Sequence, residues 1–455
     1  MNTKNLACFN HQNKLKMNKE SEQKIRGVFQ QQKAFFKTNQ TKDIEFRKTQ
    51  LRKFREVFLN HTDALCEALF IDLGKSRKEA EYVEIQIVIS ELDYFLENID
   101  EWAKPTPVPS KPHPSGAEVI SKIMYEPYGV NYIIGPFNYP VQLTFSPLIG
   151  ALIAGNTAIL KPSENTPHVA KVLEKIVKES FEESYVTVIQ GAIEENTLLL
   201  SLPFDYIFFT GSPNVGKIVM KAAAEQLIPL ALELGGKSPT IVHKDADLDK
   251  AVERISYGKW INCGQTCVAP DYIYIHESVK SAFIEKFKAH LKTVYNDESL
   301  GKIGKIVSQN QIKNLAGYLE AAPEKVIYGG NYDLETRHFE ATLMDDITWD
   351  DQVMQQEIFG PILPIMIYDD INEALEEINN RPKPLALYVF TENQEFADYI
   401  LNHTTSGDAE INSTIIHVGS HYLPFGGVGT SGMGKYHGKF SFESFSHSRS
   451  VLQVK

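Results

Sequence analysis

The sequence predicts an α/β protein built on a doubly wound parallel sheet, followed by a second α/β region. Strands and helices alternate from Val130 onward, and glycine and proline punctuate that alternation at the places where turns belong. The length of 455 residues exceeds one ordinary core of ~100 to 200 residues, so more than one lobe is expected. At 43% hydrophobic, 11% aromatic and 23% charged, the chain has the composition of a packed globular protein rather than a disordered one.

The stretch from about residue 18 to 103 reads as helical, with an apolar-rich run from Tyr82 to Leu96. A Pro-rich break then carries Pro105, Pro107, Pro109, Pro112 and Pro114, and Ala117 to Tyr125 alternates as a strand does. Val130 to Ile134 is a second strand, ending at Gly135-Pro136; a helix follows from about Pro140 to Ala154, with Gly155 at the C-cap position. Thr157 to Leu160 is a strand. Val169, Val172, Leu173, Ile176 and Val177 form the apolar stripe of a helix packed on a sheet. Val186 to Gln190 and Asp205 to Phe209 are further strands, and Ser212 with Pro213 opens a helix to about Gln226. After Gly235-Gly236 come a helix at Leu248 to Trp260, a strand at Tyr272 to Ile275 and a helix at Val279 to Val294, in a region that continues to about residue 415.

The net charge of -12 argues against wrapping nucleic acid, where cations must replace phosphate counterions. Residues 1 to 57 carry 14 Lys and Arg against 5 Asp and Glu, which reads as solvated helical faces rather than a docking arm. Cys8, Cys66, Cys263 and Cys267 are too few for a disulfide framework in so long a chain and fit a reducing compartment. No run approaches the ~18 apolar residues that cross a bilayer, so a soluble cytoplasmic protein is expected. Met17 offers an alternative start, since the residues before it show no pattern.

Two motifs are decoys. Gly211-Ser-Pro-Asn-Val-Gly216-Lys217-Ile218 nearly spells a P-loop at a strand-to-helix turn suited to phosphate, yet Ile218 stands where a hydroxyl must hold magnesium. Gly427-Val-Gly429-Thr-Ser-Gly432 matches the dinucleotide fingerprint, but no room remains for the following strand and its acid, so it reads as a tight loop near a catalytic mouth or a subunit interface. Cys263 and Cys267 lack the further ligands a metal needs. Cys267 lies between a helix and a strand, where backbone N–H groups can face a developing oxyanion; taken alone, an inert buried thiol is the commoner reading.

Five segments change that weighting. Gly135 to Pro140, Leu160-Lys161-Pro162-Ser163-Glu164, Leu232 to Pro239, Gly264 to Pro270 and Glu357-Ile-Phe359-Gly-Pro361 occur in the order found in aldehyde dehydrogenases, which the chain resembles over about residues 20 to 450. Asn262 to Tyr272 and the ending Leu423 to Gly438 look most like the class 3 branch, the fatty and aromatic aldehyde dehydrogenases. The resemblance implies the aldehyde dehydrogenase fold: a Rossmann-like NAD-binding domain (18–104 and 128–234), a catalytic domain (235–415), and a small β oligomerisation hairpin and tail (105–127 and 433–455) that form a homodimer. It also implies Cys267 as nucleophile, Asn138 as oxyanion donor and Glu233 as general base. Lys161 and Glu164 would hold the adenosine ribose, Gly211, Ser212 and Gly216 the pyrophosphate turn, Glu357 the nicotinamide ribose, and Phe359 would pack by the nicotinamide.

The expected reaction is oxidation of a medium- or long-chain aliphatic or an aromatic aldehyde with NAD, NADP being possible. No metal, nucleic acid or membrane span is expected. The chain departs from the family at Phe137, where Trp is common, at Gln356, where a second acid is common, and at Gly407 to Asn412, in the family's mobile substrate loop. Two rivals stand beside this reading: a CoA-acylating reductase of the same fold, disfavoured by Glu233, and a nucleotide-independent cysteine esterase, disfavoured by Lys161, Glu164 and Glu357.

Overall fold

The computed structural model describes residues 17–295 and 303–455, so the expectation for the first sixteen residues, with Cys8, lies outside the described residues. Helices Lys19–Lys37, Ile44–Asn60, Thr62–Leu73 and Gln86–Trp102 fill the N-terminal region. Their apolar stripes, including Phe54, Phe58, Leu69, Leu92 and Phe95, are wholly buried.

The first sheet has six strands in the order Gly432–Met433, Leu230–Glu233, Tyr206–Thr210, Val130–Ile134, Thr157–Lys161, Val186–Val188. All neighbours are parallel except the short first strand. The chain winds to one side from Val130–Ile134 and returns to the other at Tyr206–Thr210, so the order reverses between these two strands. A crevice at such a reversal, beyond the carboxyl ends of the strands, is where doubly wound sheets bind ligands. The register aligns Ile134 with Lys161 and Phe209, and Thr210 with Glu233, which brings three expected site segments to one sheet edge.

Between these strands the sequence signals act as expected. Helix Gln142–Ala154 is buried throughout and stops at Gly155, whose φ of 98° closes it. Ser212 caps helix Pro213–Gln226 with Pro213 in the first turn. The strand expected through Gln190 stops at Val188, and the one expected from Ala117 runs instead over Val119–Pro127. Extending it to Pro127 lets all nine residues pair with Ser446–Val454.

The second sheet has seven strands in the order Val326–Tyr328, Thr342–Met344, Ile362–Tyr368, Tyr272–His276, Pro239–Val242, Ala386–Phe390, Asp408–Ile411, with only the first antiparallel to its neighbour. Thr106–Val108, Val119–Pro127 and Ser446–Val454 make a separate antiparallel sheet. Cys267 precedes the strand Tyr272–His276, and Glu357 to Phe359 precede Ile362–Tyr368. The carboxyl end of the first sheet therefore shares the site with the amino end of the second.

Candidate active site

Four segments leave the carboxyl edge of the first sheet. Asn138 lies in the loop after Val130–Ile134, Lys161 ends Thr157–Lys161, Ser212 follows Tyr206–Thr210, and Glu233 ends Leu230–Glu233. Asn138 is 3% exposed, and its side-chain amide donates to the main-chain oxygen of Gln265 at 3.0 Å. An amide carries two donor hydrogens, so one remains beside the Cys267 turn. The main-chain oxygen of Asn138 accepts from Lys75 Nζ and from Asn262 Nδ2, each at 2.8 Å.

Cys267 is half-buried in a turn, whereas Cys263 and Cys66 are buried. Burial pushes the Cys267 thiol up to about 12, with Glu357 and Glu233 adding their negative charge, while its own backbone N–H and that of Val268 pull it back. Those two N–H groups lie beside the sulfur. Burial also drives Cys263 upward, and this residue sits at a φ of 56° beside Asn262 at 54°, two successive left-handed residues that turn the chain into the loop carrying Cys267.

Glu233 is 2% exposed and neither carboxylate oxygen has a hydrogen-bond partner among the described residues. Burial raises its pKa well above the usual carboxylate range; Lys435 opposes and Asp408 adds to the shift. A buried carboxyl without a hydrogen-bond partner and with a raised pKa is a candidate for proton transfer. The expected tight loop lies against it: Gly432 pairs with Glu233, and Leu234 donates to the Ser431 oxygen at 3.1 Å.

Burial raises Glu357 to about 8, with Asp271 adding; the Gly236 N–H, Lys237 and Lys259 oppose. Its carboxylate packs where a Cβ on Gly235 would stand, so a side chain there would have to displace the Glu357 carboxylate. Phe359, at a φ of 49°, meets Phe137 edge to face with ring centroids 5.7 Å apart, and Phe137 thus fills the place where Trp is common.

Residues fit for a dinucleotide line the rest of the edge. Lys161, 1% exposed, reaches Glu164 at 3.5 Å and the Pro162 oxygen at 2.9 Å, and burial lowers its pKa. Glu164 borders a hollow of about 370 Å³ shared with Gln190, Gly191 and Glu195. Ser212 accepts from Val215 N at 3.4 Å, which leaves its hydroxyl hydrogen free to donate. A Cβ on Gly211 would stand 2.6 Å from the Phe209 ring, and one on Gly216 would stand 2.8 Å from Leu234 Cδ2. Gly216 thus lets the helix approach the segment carrying Glu233.

A family model described as the aldehyde dehydrogenase family matches residues 3–451. The chain belongs to this family. It is 47% identical to the 4,4'-diaponeurosporen-aldehyde dehydrogenase of Staphylococcus aureus over 430 residues, 94% of this chain and 93% of that one. It is 43% identical to the dimeric NADP-preferring aldehyde dehydrogenase of Canis lupus familiaris over 431 residues, 94% of each. A solved structure of the substrate-bound state of Staphylococcus aureus AldH superposes with a TM-score of 0.92, at 47% identity and 94% coverage of each chain. The protein is therefore an oxidoreductase of the aldehyde dehydrogenase family.

The structure also brings in residues to which the sequence assigned no role. Lys237 pairs closely with Asp271 and donates to the Gln356 oxygen at 3.0 Å, while Asp271 accepts from Ile358 N at 2.9 Å. Together they brace the loop that carries Glu357 and Phe359. Both stand inside quoted motifs, but only the fold shows what they touch. The segment expected as a mobile substrate loop contains the edge strand Asp408–Ile411, held by Lys435 near Asp408 at 3.9 Å and by the close His417–Glu410 pair. Backbone pairing to Ala386–Phe390 fixes it there.

Proposed function

We propose that the protein oxidises an aldehyde to the carboxylic acid with NAD, NADP being an alternative, through a thioester on Cys267. The observation that carries this reading is the convergence of the Cys267 turn, the spare Asn138 donor and the unpartnered Glu233 carboxyl at one sheet edge. The Cys267 sulfur, as thiolate, adds to the carbonyl carbon, and the oxygen takes up charge that Asn138 and the Cys267 N–H stabilise. When bound, the nicotinamide supplies the acceptor for the hydride that leaves the thiohemiacetal carbon. Water then attacks the thioester, Glu233 takes its proton, and the acid departs as the Cys267 thiolate is restored.

In this reading residues 18–104 and 128–234 bind the cofactor and 235–415 carry the nucleophile. Lys161 and Glu164 hold the adenosine ribose, Ser212 with the glycine turn at Gly211 and Gly216 holds the pyrophosphate, and Glu357 holds the nicotinamide ribose beside Phe359. The substrate is a medium- or long-chain aliphatic or an aromatic aldehyde. Residues 105–127 and 433–455 join two copies, supported by the exposed nine-residue edge strand Ser446–Val454, with Leu452 65% exposed. Among the described residues no helix is long and apolar enough to cross a membrane, and we assign the protein to the cytoplasm.

The test is to follow nicotinamide reduction by the purified protein across aliphatic and aromatic aldehydes. Aldehyde-dependent reduction with acid as product supports the reading. Ester turnover without reduction of the cofactor, or reduction that requires CoA, contradicts it.

A further inference from the structure

Far from the sheet edge in sequence, the N-terminal helices place a lysine and a glutamate behind Asn138. Lys75 follows Gly74, the left-handed residue that ends helix Thr62–Leu73, and Glu84 lies in the π-helical turn Glu81–Ile85. Such turns are uncommon and recur at functional sites. Both side chains are 0% exposed, and Lys75 Nζ donates to Glu84 Oε1 at 2.6 Å.

The pair grips one short loop at both ends. Lys75 Nζ also donates to the main-chain oxygen of Asn138 at 2.8 Å, while Glu84 Oε2 accepts from Val141 N at 3.0 Å and Gln142 N at 2.9 Å. Val141 and Gln142 open helix Gln142–Ala154, where unpaired N–H groups favour a negative charge. Between the two anchors, the Lys75 ammonium stands 4.1 Å from the Tyr139 ring centroid, and the Tyr139 hydroxyl meets Thr266 Oγ1 at 2.6 Å, one residue before the nucleophile.

A third link closes the network. Asn262 Nδ2 donates to the oxygens of Asn138 and Gln265, and Asn262 N donates to Glu79 Oε1 at 2.8 Å. Residues 75 to 84 thus hold both the loop carrying the oxyanion donor and the loop carrying Cys267. A wholly buried ion pair is weak evidence of stabilisation, because desolvation offsets its attraction and an apolar pair of similar shape often serves as well. Its use here is geometric.

We propose that Lys75 and Glu84 are positioning residues for the oxyanion site, holding the main chain at Asn138 so that its side-chain amide faces the carbonyl oxygen added to Cys267. This rests on the reading of Asn138 as an oxyanion donor. A displacement of about 1 Å at a reacting geometry can cost ~100-fold in rate.

The test is a double-mutant cycle on the full chain with saturating NAD and aldehyde. Lys75→Met combined with Glu84→Gln leaves no unpaired buried charge, and is expected to lower the rate of the first turnover ~10- to 100-fold. The Kd for NAD and the rate of Cys267 alkylation by iodoacetamide should stay within about twofold, since neither uses the oxyanion donor. In an Asn138→Ala background the same pair of changes should have little further effect. Should the doubly substituted chain fail to fold, Glu84→Asp keeps both buried charges, shortens the reach to Val141 N and Gln142 N, and is expected to give a smaller loss that also disappears in the Asn138→Ala background. Losses that multiply in that background, or an unchanged first turnover, overturn the proposal. Asn138→Ala with undiminished turnover overturns the oxyanion reading and the proposal with it.

Discussion

The side-chain amide of Asn138 donates to the main-chain oxygen of Gln265 at 3.0 Å, which ties the loop beyond Val130–Ile134 to the loop carrying Cys267. That bond occupies one of the two amide hydrogens and aims the other. Asn138→Ala should lower kcat ~100- to 1000-fold, as expected for removing one oxyanion donor, with NAD affinity kept. Stopped-flow turnover and NAD titration check it; equal weakening of NAD binding would make Asn138 structural.

The two neighbouring thiols differ in what reaches them. Cys263 is 0% exposed, whereas Cys267 is a partly exposed residue whose sulfur has two backbone N–H groups beside it. Cys267→Ser should abolish aldehyde oxidation, because a hydroxyl is far less available as a nucleophile, and Cys263→Ser should retain most of it. Loss of activity in the Cys263 variant alone, at unchanged folding by circular dichroism, would reverse the assignment.

Glu164 is half-exposed, 3.5 Å from Lys161, at the rim of a hollow of about 370 Å³. A carboxylate there can bond a ribose 2'-hydroxyl and repels a 2'-phosphate. Glu164→Gln should raise the NADP to NAD ratio of kcat/KM, measured by initial rates with each cofactor. An unchanged ratio would remove Glu164 from cofactor choice.

Burial raises the Glu233 pKa, and only the ionised form accepts a proton. In the proposed cycle the base is therefore lost as pH falls through that raised value and recovered above it, so turnover limited by deacylation should drop with it. The decay of the acyl enzyme, followed by mass spectrometry of quenched samples from pH 5.5 to 9, should show that acid limb, since the thioester has no thiol to titrate. A flat limb would mean that Glu233 does not limit deacylation.

Much of this was legible in the sequence where signals are local. Ser212-Pro213 fixed a helix start, Gly155 a helix end, and the motifs around Glu233 and Cys267 marked the turns that the two sheets bring together. Long-range pairing was less readable: nothing near Gln190 shows that the strand ends at Val188, and only pairing with the tail explains why Val119–Pro127 extends past Tyr125. Lys75 and Glu84 were invisible as a pair, since nothing in two residues nine apart in a helical region shows that both reach one distant loop. Only the π-helical turn and the packing of Gln142–Ala154 bring them behind Asn138.

In the proposed cycle Cys267 carries the acyl group and Glu233 resolves it. Water is a poor nucleophile at neutral pH, and removal of a general base costs typically ~100- to 10,000-fold. Glu233→Gln, mixed with NAD and aldehyde, should form one equivalent of reduced nicotinamide and then stall. Mass spectrometry of the quenched protein should find the acyl adduct on Cys267. No burst and no adduct would place Glu233 before hydride transfer, and unchanged steady turnover would remove it from catalysis.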